Sequence, residues 1–407
     1  MVEVSARLLR IGAFLAIVSP LTKQRNTTML RNRLKRSVLP LAWFALVAWG
    51  QVVHAQERYV IIDDDIGLNA KGCLAKGYLR SYKIAIPDLE PKWNPIIELG
   101  RACDGDGSVE LVYALYKAQM DPHLHIVGVT TMHGVMAPEY TYQSAKNILD
   151  RLGSQLKEPV PVFMGAPDWA DSFGKRTPAV DFIIRTVMAN PGKVEILATG
   201  PLTNIATAVM LEPRLPKMWK QLYVGGTGNF NDELIKGYQY LGYSAHVPEM
   251  NANGDVRAMQ YLVDRQENTT WFSGEASEWH PWGICANDWL SIWLPNMLKR
   301  NFQNYWATEN AAWMLMVNTI GRTVSWKTGC ALDSGSSEIA LMLYPQLRGD
   351  YVVSGVGVIR NPGQTDGSYS QTLSQDPSKP QVPIYYTIKG DWTQVKNEVM
   401  KALLYFH

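Results

Sequence analysis

The chain has 407 residues, 46% apolar and 19% charged. That composition is globular and leaves ample apolar material for a large core. Its length fits two or three domains, or one α/β domain of about 300 residues or more. A net charge of +2 gives no footing for nucleic-acid binding as the main activity.

The first element reads as a targeting segment. From Met29, Arg31, Arg33, Lys35 and Arg36 form a basic region, Val38 to Val53 an apolar stretch, and Val53-His54-Ala55 a small-x-small cleavage site. Residues 1–55 are therefore expected to be a leader and signal peptide. The mature chain, 56–407, is expected in the periplasm or outside the cell, with no membrane contact after cleavage. A retained anchor is the alternative, although the apolar stretch is short for a span. Export would permit disulfides among Cys73, Cys103, Cys285 and Cys330. Cys73 and Cys103 bracket one unusual stretch and would tie it down if bridged; free buried thiols are the other reading. There is no CxxC pair, which argues against a structural zinc site.

Arg58 to Ile62 is a β-branched and aromatic run that ends in Asp63-Asp64-Asp65-Ile66-Gly67, a buried strand with acids at its C-terminal end. Residues 68–103 are rich in Gly, Pro and Lys without a steady period, and read as an insertion. The spacing predicts helices over Val109 to Ala118, Tyr142 to Leu152 and Ala179 to Met188, with another opening at Leu202. Strands are expected at His125 to Thr130, Val160 to Met164, Val194 to Ala198 and Gln221 to Val224. This alternation predicts an open, mostly parallel, doubly wound α/β sheet, with ligands bound beyond the carboxyl ends of its strands. The last third is less regular. Asn268 to Leu294 carries five tryptophans and is expected to be mostly helix and loop, and residues 362–383 a surface loop.

Three clusters carry chemistry. Asp63, Asp64 and Asp65 repel one another, so burying them together requires a cation or solvent, and hard cations such as calcium take carboxylate and carbonyl oxygens. A solvated acidic turn is the bland alternative. Asp104-Gly105-Asp106-Gly107-Ser108 opens a helix, where Asp106 or Ser108 would serve equally well as a cap. Ala198-Thr199-Gly200-Pro201-Leu202-Thr203-Asn204-Ile205-Ala206 joins a strand to a helix through a Gly-Pro turn.

That last string strongly resembles the strand-turn-helix signature of the inosine-uridine-preferring nucleoside hydrolase family. In that family the chain opens on a strand followed by Asp-x-Asp-Pro-Gly-x-Asp-Asp, and Asp63-Asp64-Asp65-Ile66-Gly67 resembles its first half. The second half is displaced by the insertion. An ungapped count back from Thr130 instead places Asp104 and Asp106 on the first two acids, with Glu110 next. The strand before Asp63 favours Asp63 and Asp65 as the first pair, with Asp104 and Asp106 supplying later acids. Glu249-Met250-Asn251 with Asp255, and Leu332-Asp333-Ser334, resemble two further family segments.

The resemblance implies a doubly wound sheet of the nucleoside hydrolase type with a helix- and loop-rich C-terminal third. It also implies one Ca2+ held by Asp65, Asp106, the Thr199 carbonyl and Asp333. Asp65 would be the base that takes a proton from the attacking water. Asp104, Glu249, Asn251 and Asp333 would bind the sugar of a small nucleoside or ribosyl substrate, in a chain expected to be a homo-oligomer. Val135 and Leu332 stand where the family has Asn and His, which removes the usual leaving-group acid; His133, Glu278 and His280 are the candidates to replace it. Each has a structural or surface role as its plainer reading. Hydrolysis of another glycoside, or calcium-dependent sugar binding without turnover, are the alternative functions.

Overall fold

The computed structural model describes residues 56–67, 105–134, 138–168, 172–227, 251, 254–265, 267–274, 284–285, 330–331, 334–360, 369–374, 378 and 380–406. The leader and residues 68–104 lie outside them. Among the described residues, no helix is long and apolar enough to cross a membrane.

Strand β1 (Arg58–Asp64) is followed by helix α1 (Gly105–Met120), β2 (Leu124–Thr131), α2 (Pro138–Leu152) and β3 (Val162–Met164). Then come α3 (Pro178–Ala189), β4 (Val194–Ala198), α4 (Thr203–Leu211), β5 (Gln221–Val224), α5 (Val256–Val263) and β6 (Thr269–Phe272). A two-residue ribbon pairs β7 (Ile284–Cys285) with β8 (Cys330–Ala331), Cys285 standing opposite Cys330. The chain ends with α6 (Ser334–Leu343), β9 (Tyr351–Arg360), β10 (Tyr369–Ser374), β11 (Gln381–Tyr385) and α7 (Thr393–Tyr405).

Nine strands form one sheet in the order β10-β9-β11-β6-β5-β4-β1-β2-β3. The seven from β11 to β3 are parallel, and β9 and β10 extend that edge in antiparallel pairing. This is the doubly wound sheet that the strand and helix alternation predicts. The C-terminal part supplies more strand than its pattern suggests. Thr269–Phe272 lies in the tryptophan-rich stretch expected to be mostly helix and loop, and is a strand. Residues 362–383, expected to be a loop, contain β10 and the start of β11. Their residues, YSQTLS and QVPIY, are too polar to advertise a core strand, and backbone pairing along β9 decides their conformation.

Two cores cover the two faces. Val60 and Ile62 of β1 face α1, α2, α6 and α7, while Ile61 faces α3, α4 and α5. Burial on both sides explains why β1 is continuously apolar rather than alternating. Helix α3 begins with Thr177, whose side chain accepts from the Val180 amide, followed by Pro178 at its first position. At the N-terminal edge, Arg58 and Lys220 pair with buried Glu195 at 2.7 and 2.8 Å. The chain runs from β1 outward to β2 and β3, then returns to β4 on the other side. The order therefore reverses between β1 and β4, and such a reversal opens a crevice at the carboxyl ends of the two strands.

Candidate active site at the β1/β4 crevice

The register places the acidic run at that crevice. Asp63 pairs with Thr130 of β2 and Ala198 of β4, and Asp64 with Thr131. The ladder continues past the strands, the Thr199 amide donating to the Asp63 carbonyl at 3.0 Å and the Gly225 amide to the Ala198 carbonyl at 2.9 Å. Successive side chains alternate between faces. Asp63 therefore points to the α4 side, and Asp64 to the α1 side.

All three aspartates are only 1–2% exposed. Asp63 Oδ1 accepts from Thr130 Oγ1 at 2.5 Å and Asn204 Nδ2 at 2.9 Å. Its Oδ2 is buried with no hydrogen-bond partner among the described residues. Burial pushes its pKa up to about 7, against the pull of the Thr130 and Asn204 bonds and with the Asp65 charge adding to the rise. Asp64 Oδ1 accepts the Asp65 amide at 2.8 Å. The helix start reaches the same place: a Cβ on Gly107 of α1 would lie 2.2 Å from Asp64 Oδ2. The two halves of the acidic motif, separated by the insertion in sequence, are thus adjacent in space.

Asp65 is held between two glycines. A Cβ on Gly134 would lie 1.5 Å from its Oδ2, and one on Gly200 would lie 2.9 Å from its Oδ1 and its amide nitrogen. Only hydrogen at these positions lets the backbone close on the carboxylate. The Gly-Pro turn after β4 is therefore one wall of the site, and the loop after β2 is the other. Thr199 presents two groups here. Its hydroxyl donates to Glu110 Oε1 at 3.1 Å, and its carbonyl accepts from Asn251 Nδ2 at 2.5 Å.

Asn204 explains the second half of the Gly-Pro string. From the first turn of α4 it donates to Asp63 and to the Thr131 carbonyl at 3.1 Å, and accepts the Ala166 amide at 2.9 Å. One amide side chain thus joins the ends of β1 and β2 to Ala166, two residues after β3. Beside it, Thr203 Oγ1 donates to Asp255 Oδ2 at 2.8 Å and stands 3.0 Å from His133 Nε2. Burial depresses the His133 pKa to about 4, the Asp168 charge opposing this weakly, so its imidazole is neutral at ordinary pH.

Of the residues singled out from the sequence, Asp63, Asp65, His133, Thr199 and Asn251 meet at this crevice. Asp104, Glu249, Glu278, His280 and Asp333 lie outside the described residues. Asp106 is in the first turn of α1, with its side chain outside them too. Two further buried acids stand at the same edge: Glu110, which enters the sequence reading only in the ungapped alignment, and Glu338, which carries no role in it. Glu110 meets Thr199, and Glu338 of α6 packs against Gly225, whose Cβ would lie 1.9 Å from its Oε1. The signal for both was a single acid on the otherwise apolar face of a helix, in VELVYAL and SSEIALML.

The donors fit a hard cation: carboxylate and carbonyl oxygens, and a buried Asp63 Oδ2 awaiting a partner. Among the described residues, no three His, Cys, Asp or Glu side chains surround one point as metal ligands. Two members of the expected set, Asp106 and Asp333, have side chains that lie outside those residues.

Comparison with known proteins agrees with this layout. The family described as inosine-uridine preferring nucleoside hydrolase matches residues 102–333, more than half of the chain. A pyrimidine-specific ribonucleoside hydrolase, RihB, of Escherichia coli (strain SE11) is 28% identical, over 31% of this chain and 48% of that protein. The chain thus spans about half the length of such curated relatives. Among solved structures, the plant nucleoside hydrolase PpNRh1 has a TM-score of 0.54 at 19% identity, covering 86% of this chain and 99% of that one. The purine-preferring ribonucleoside hydrolase from Gardnerella vaginalis has a TM-score of 0.55 at 18% identity, covering 85% and 98%. At such identities the structures speak for the fold, and the sequence match for the lineage: the chain belongs to the inosine-uridine preferring nucleoside hydrolase family.

Proposed function

We propose that the chain hydrolyses the N-glycosidic bond of ribonucleosides or related ribosyl compounds, with Asp65 as the general base. The observation that carries this reading is the placement of Asp65, a buried carboxylate clasped between Gly134 and Gly200 where the sheet order reverses. In the reaction a water oxygen bonds to the anomeric carbon, the bond from that carbon to the base nitrogen breaks, and the departing base acquires a proton. The transition state is oxocarbenium-like, so nearby carboxylates stabilise its positive charge. Asp65 takes the proton that the water loses. Its two glycine walls restrict its rotation and so reduce the entropy lost on reaching the reactive geometry.

A Ca2+ held by Asp65, the Thr199 carbonyl, Asp106 and Asp333 would orient the water, lower its pKa and grip ribose hydroxyls. Asn251 already bonds the Thr199 carbonyl, which has a second lone pair to offer. That bond fixes the carbonyl's direction, and the reading gives Asn251 a sugar hydroxyl as its further partner. His133 is neutral and hydrogen-bonded at Nε2, so its part in this reading is to hold the loop rather than to protonate the leaving base.

The test is ribose release by the full-length chain from a panel of purine and pyrimidine nucleosides, with calcium and then with a chelator. Calcium-dependent release that Asp65→Asn lowers by at least about a thousandfold, with the fold retained, is the expected outcome. No release from any nucleoside while calcium still binds would turn the reading toward another glycoside or a sugar-binding role. Near-normal turnover by Asp65→Asn would remove Asp65 as the base.

A further inference from the structure

Both walls around Asp65 are joined by one chain of buried hydrogen bonds. Asp255 precedes α5 and caps it, Oδ1 accepting the Ala258 amide at 3.1 Å. Its Oδ2 accepts from Thr203 Oγ1 at 2.8 Å. A hydroxyl has one proton, and this one is committed to the Asp255 carboxylate. The 3.0 Å contact between Thr203 Oγ1 and His133 Nε2 therefore requires the imidazole to donate. That fixes His133 as the Nε2–H tautomer. All three side chains are buried.

What the chain connects gives it a purpose. Gly134, the wall on Asp65 Oδ2, follows His133 directly, and the His133 amide is itself pinned to the Ala166 carbonyl at 2.8 Å. Gly200, the opposite wall, lies three residues before Thr203 in the same turn. Asp255 lies four residues after Asn251, which bonds the Thr199 carbonyl. One His–Thr–Asp chain thus braces the loop after β2 against the turn after β4, and both against the segment that carries Asn251.

We propose that His133, acting through Thr203 and Asp255, is a positioning residue that sets the spacing of the two glycine walls and so aims the Asp65 carboxylate. The proposal rests on the reading of Asp65 as the base. Removing the brace deletes no group that touches substrate, but lets the walls part, and Asp65 shift, by a fraction of an ångström. Misplacement on that scale costs turnover rather than binding, on the order of tenfold to a hundredfold.

The experiment has two arms. In the first, kcat and KM for ribose release are compared for two pairs of variants of the full chain. His133→Phe keeps the ring volume and removes the donor, whereas His133→Gln keeps an amide donor. Thr203→Val removes the hydroxyl, whereas Thr203→Ser keeps it. The expected result is a kcat lower by about ten- to a hundredfold in His133→Phe and Thr203→Val, with KM within about threefold, and recovery of most of the loss in the Gln and Ser variants. Wild-type kcat in folded His133→Phe, or an equal loss in each member of a pair, overturns the proposal. The second arm needs no activity. Imidazole 15N spectra of the wild-type chain should show His133 protonated at Nε2 alone at pH 7, with that signal displaced in Thr203→Val. Protonation at Nδ1 overturns the brace even if the mutants lose activity. A wild-type chain that releases no ribose, yet shows the Nε2–H tautomer, refutes the hydrolase reading and with it the role of the brace in aiming Asp65.

Discussion

At the scale of single residues, this crevice is organised by polar side chains buried with counted partners. Asn204 satisfies three groups at once, and Thr203 spends its one proton on Asp255, which dictates the tautomer of its neighbour. Such networks are costly when incomplete, which is why a small polar residue in the first turn of a helix matters here more than a large apolar one. His133 makes this measurable. Burial lowers its pKa from 6.5 to about 4. The unfolded chain therefore takes up a proton below pH 6.5 that the folded chain refuses, and stability is lost as pH falls from 6.5 toward 4. The residue should account for about 2 kcal/mol of lost stability between pH 7 and pH 5. Urea unfolding at the two pH values, wild type against His133→Phe, checks this: the variant should lack that increment, and an identical pH dependence in both proteins would contradict it.

At the scale of elements, the strand ends and the turns after them form the site. Helices deliver the rest: α1 brings Gly107 and Glu110 to β1 and β4, and α6 brings Glu338 to the end of β5. Close approach is made possible by glycines placed where a side chain points at the backbone. Gly134→Ala tests this directly, because its Cβ would stand 1.5 Å from Asp65 Oδ2. Either the carboxylate or the loop must shift, so ribose release should fall by at least about a hundredfold. Circular dichroism should still report a folded chain, since the sheet itself is untouched. Full activity in the Ala variant would show that Asp65 can rotate freely and that the wall has no role.

At the scale of the whole molecule, the sheet is closed at one face by the C-terminal helix. Val395, Val399, Met400, Ala402 and Leu403 of α7 are buried in the core that also holds α1. Glu398 accepts from Tyr113 at 2.8 Å and from Lys117 at 3.1 Å, both on α1, and from Tyr344 at 2.7 Å. The last helix of the chain thus holds the helix that carries Glu110 to the site. Glu398→Leu keeps the volume and removes these three bonds together with the one from Gln394 at 3.0 Å, so it should cost about 1–3 kcal/mol in a single cooperative urea transition. A loss confined to a separate, earlier transition would show that α7 unfolds apart from the sheet.

The alternation of strands and helices as far as β5 was legible from the residues themselves. The run from Arg58 to Ile62 is apolar throughout because both faces of β1 are buried, and the helices that follow announce themselves by period. The Ala198 to Ala206 string carried the site because its turn and its Thr-Asn pair are local in sequence. Thr199 was singled out from that string and Asp65 from the acidic run after β1, both through the family resemblance. The parts that tertiary structure decided are those whose partners lie far apart along the chain. Strands β10 and β11 follow from pairing with β9 and not from their own composition. The role of Gly134 depends on Asp65, nearly seventy residues earlier, and that of Glu338 on Gly225. In the sequence His133 was one of three candidates for the leaving-group acid, with a structural role as its plainer reading. Only the fold brings Thr203 and Asp255 to it, because buried polar groups take their meaning from the partner that burial forces upon them.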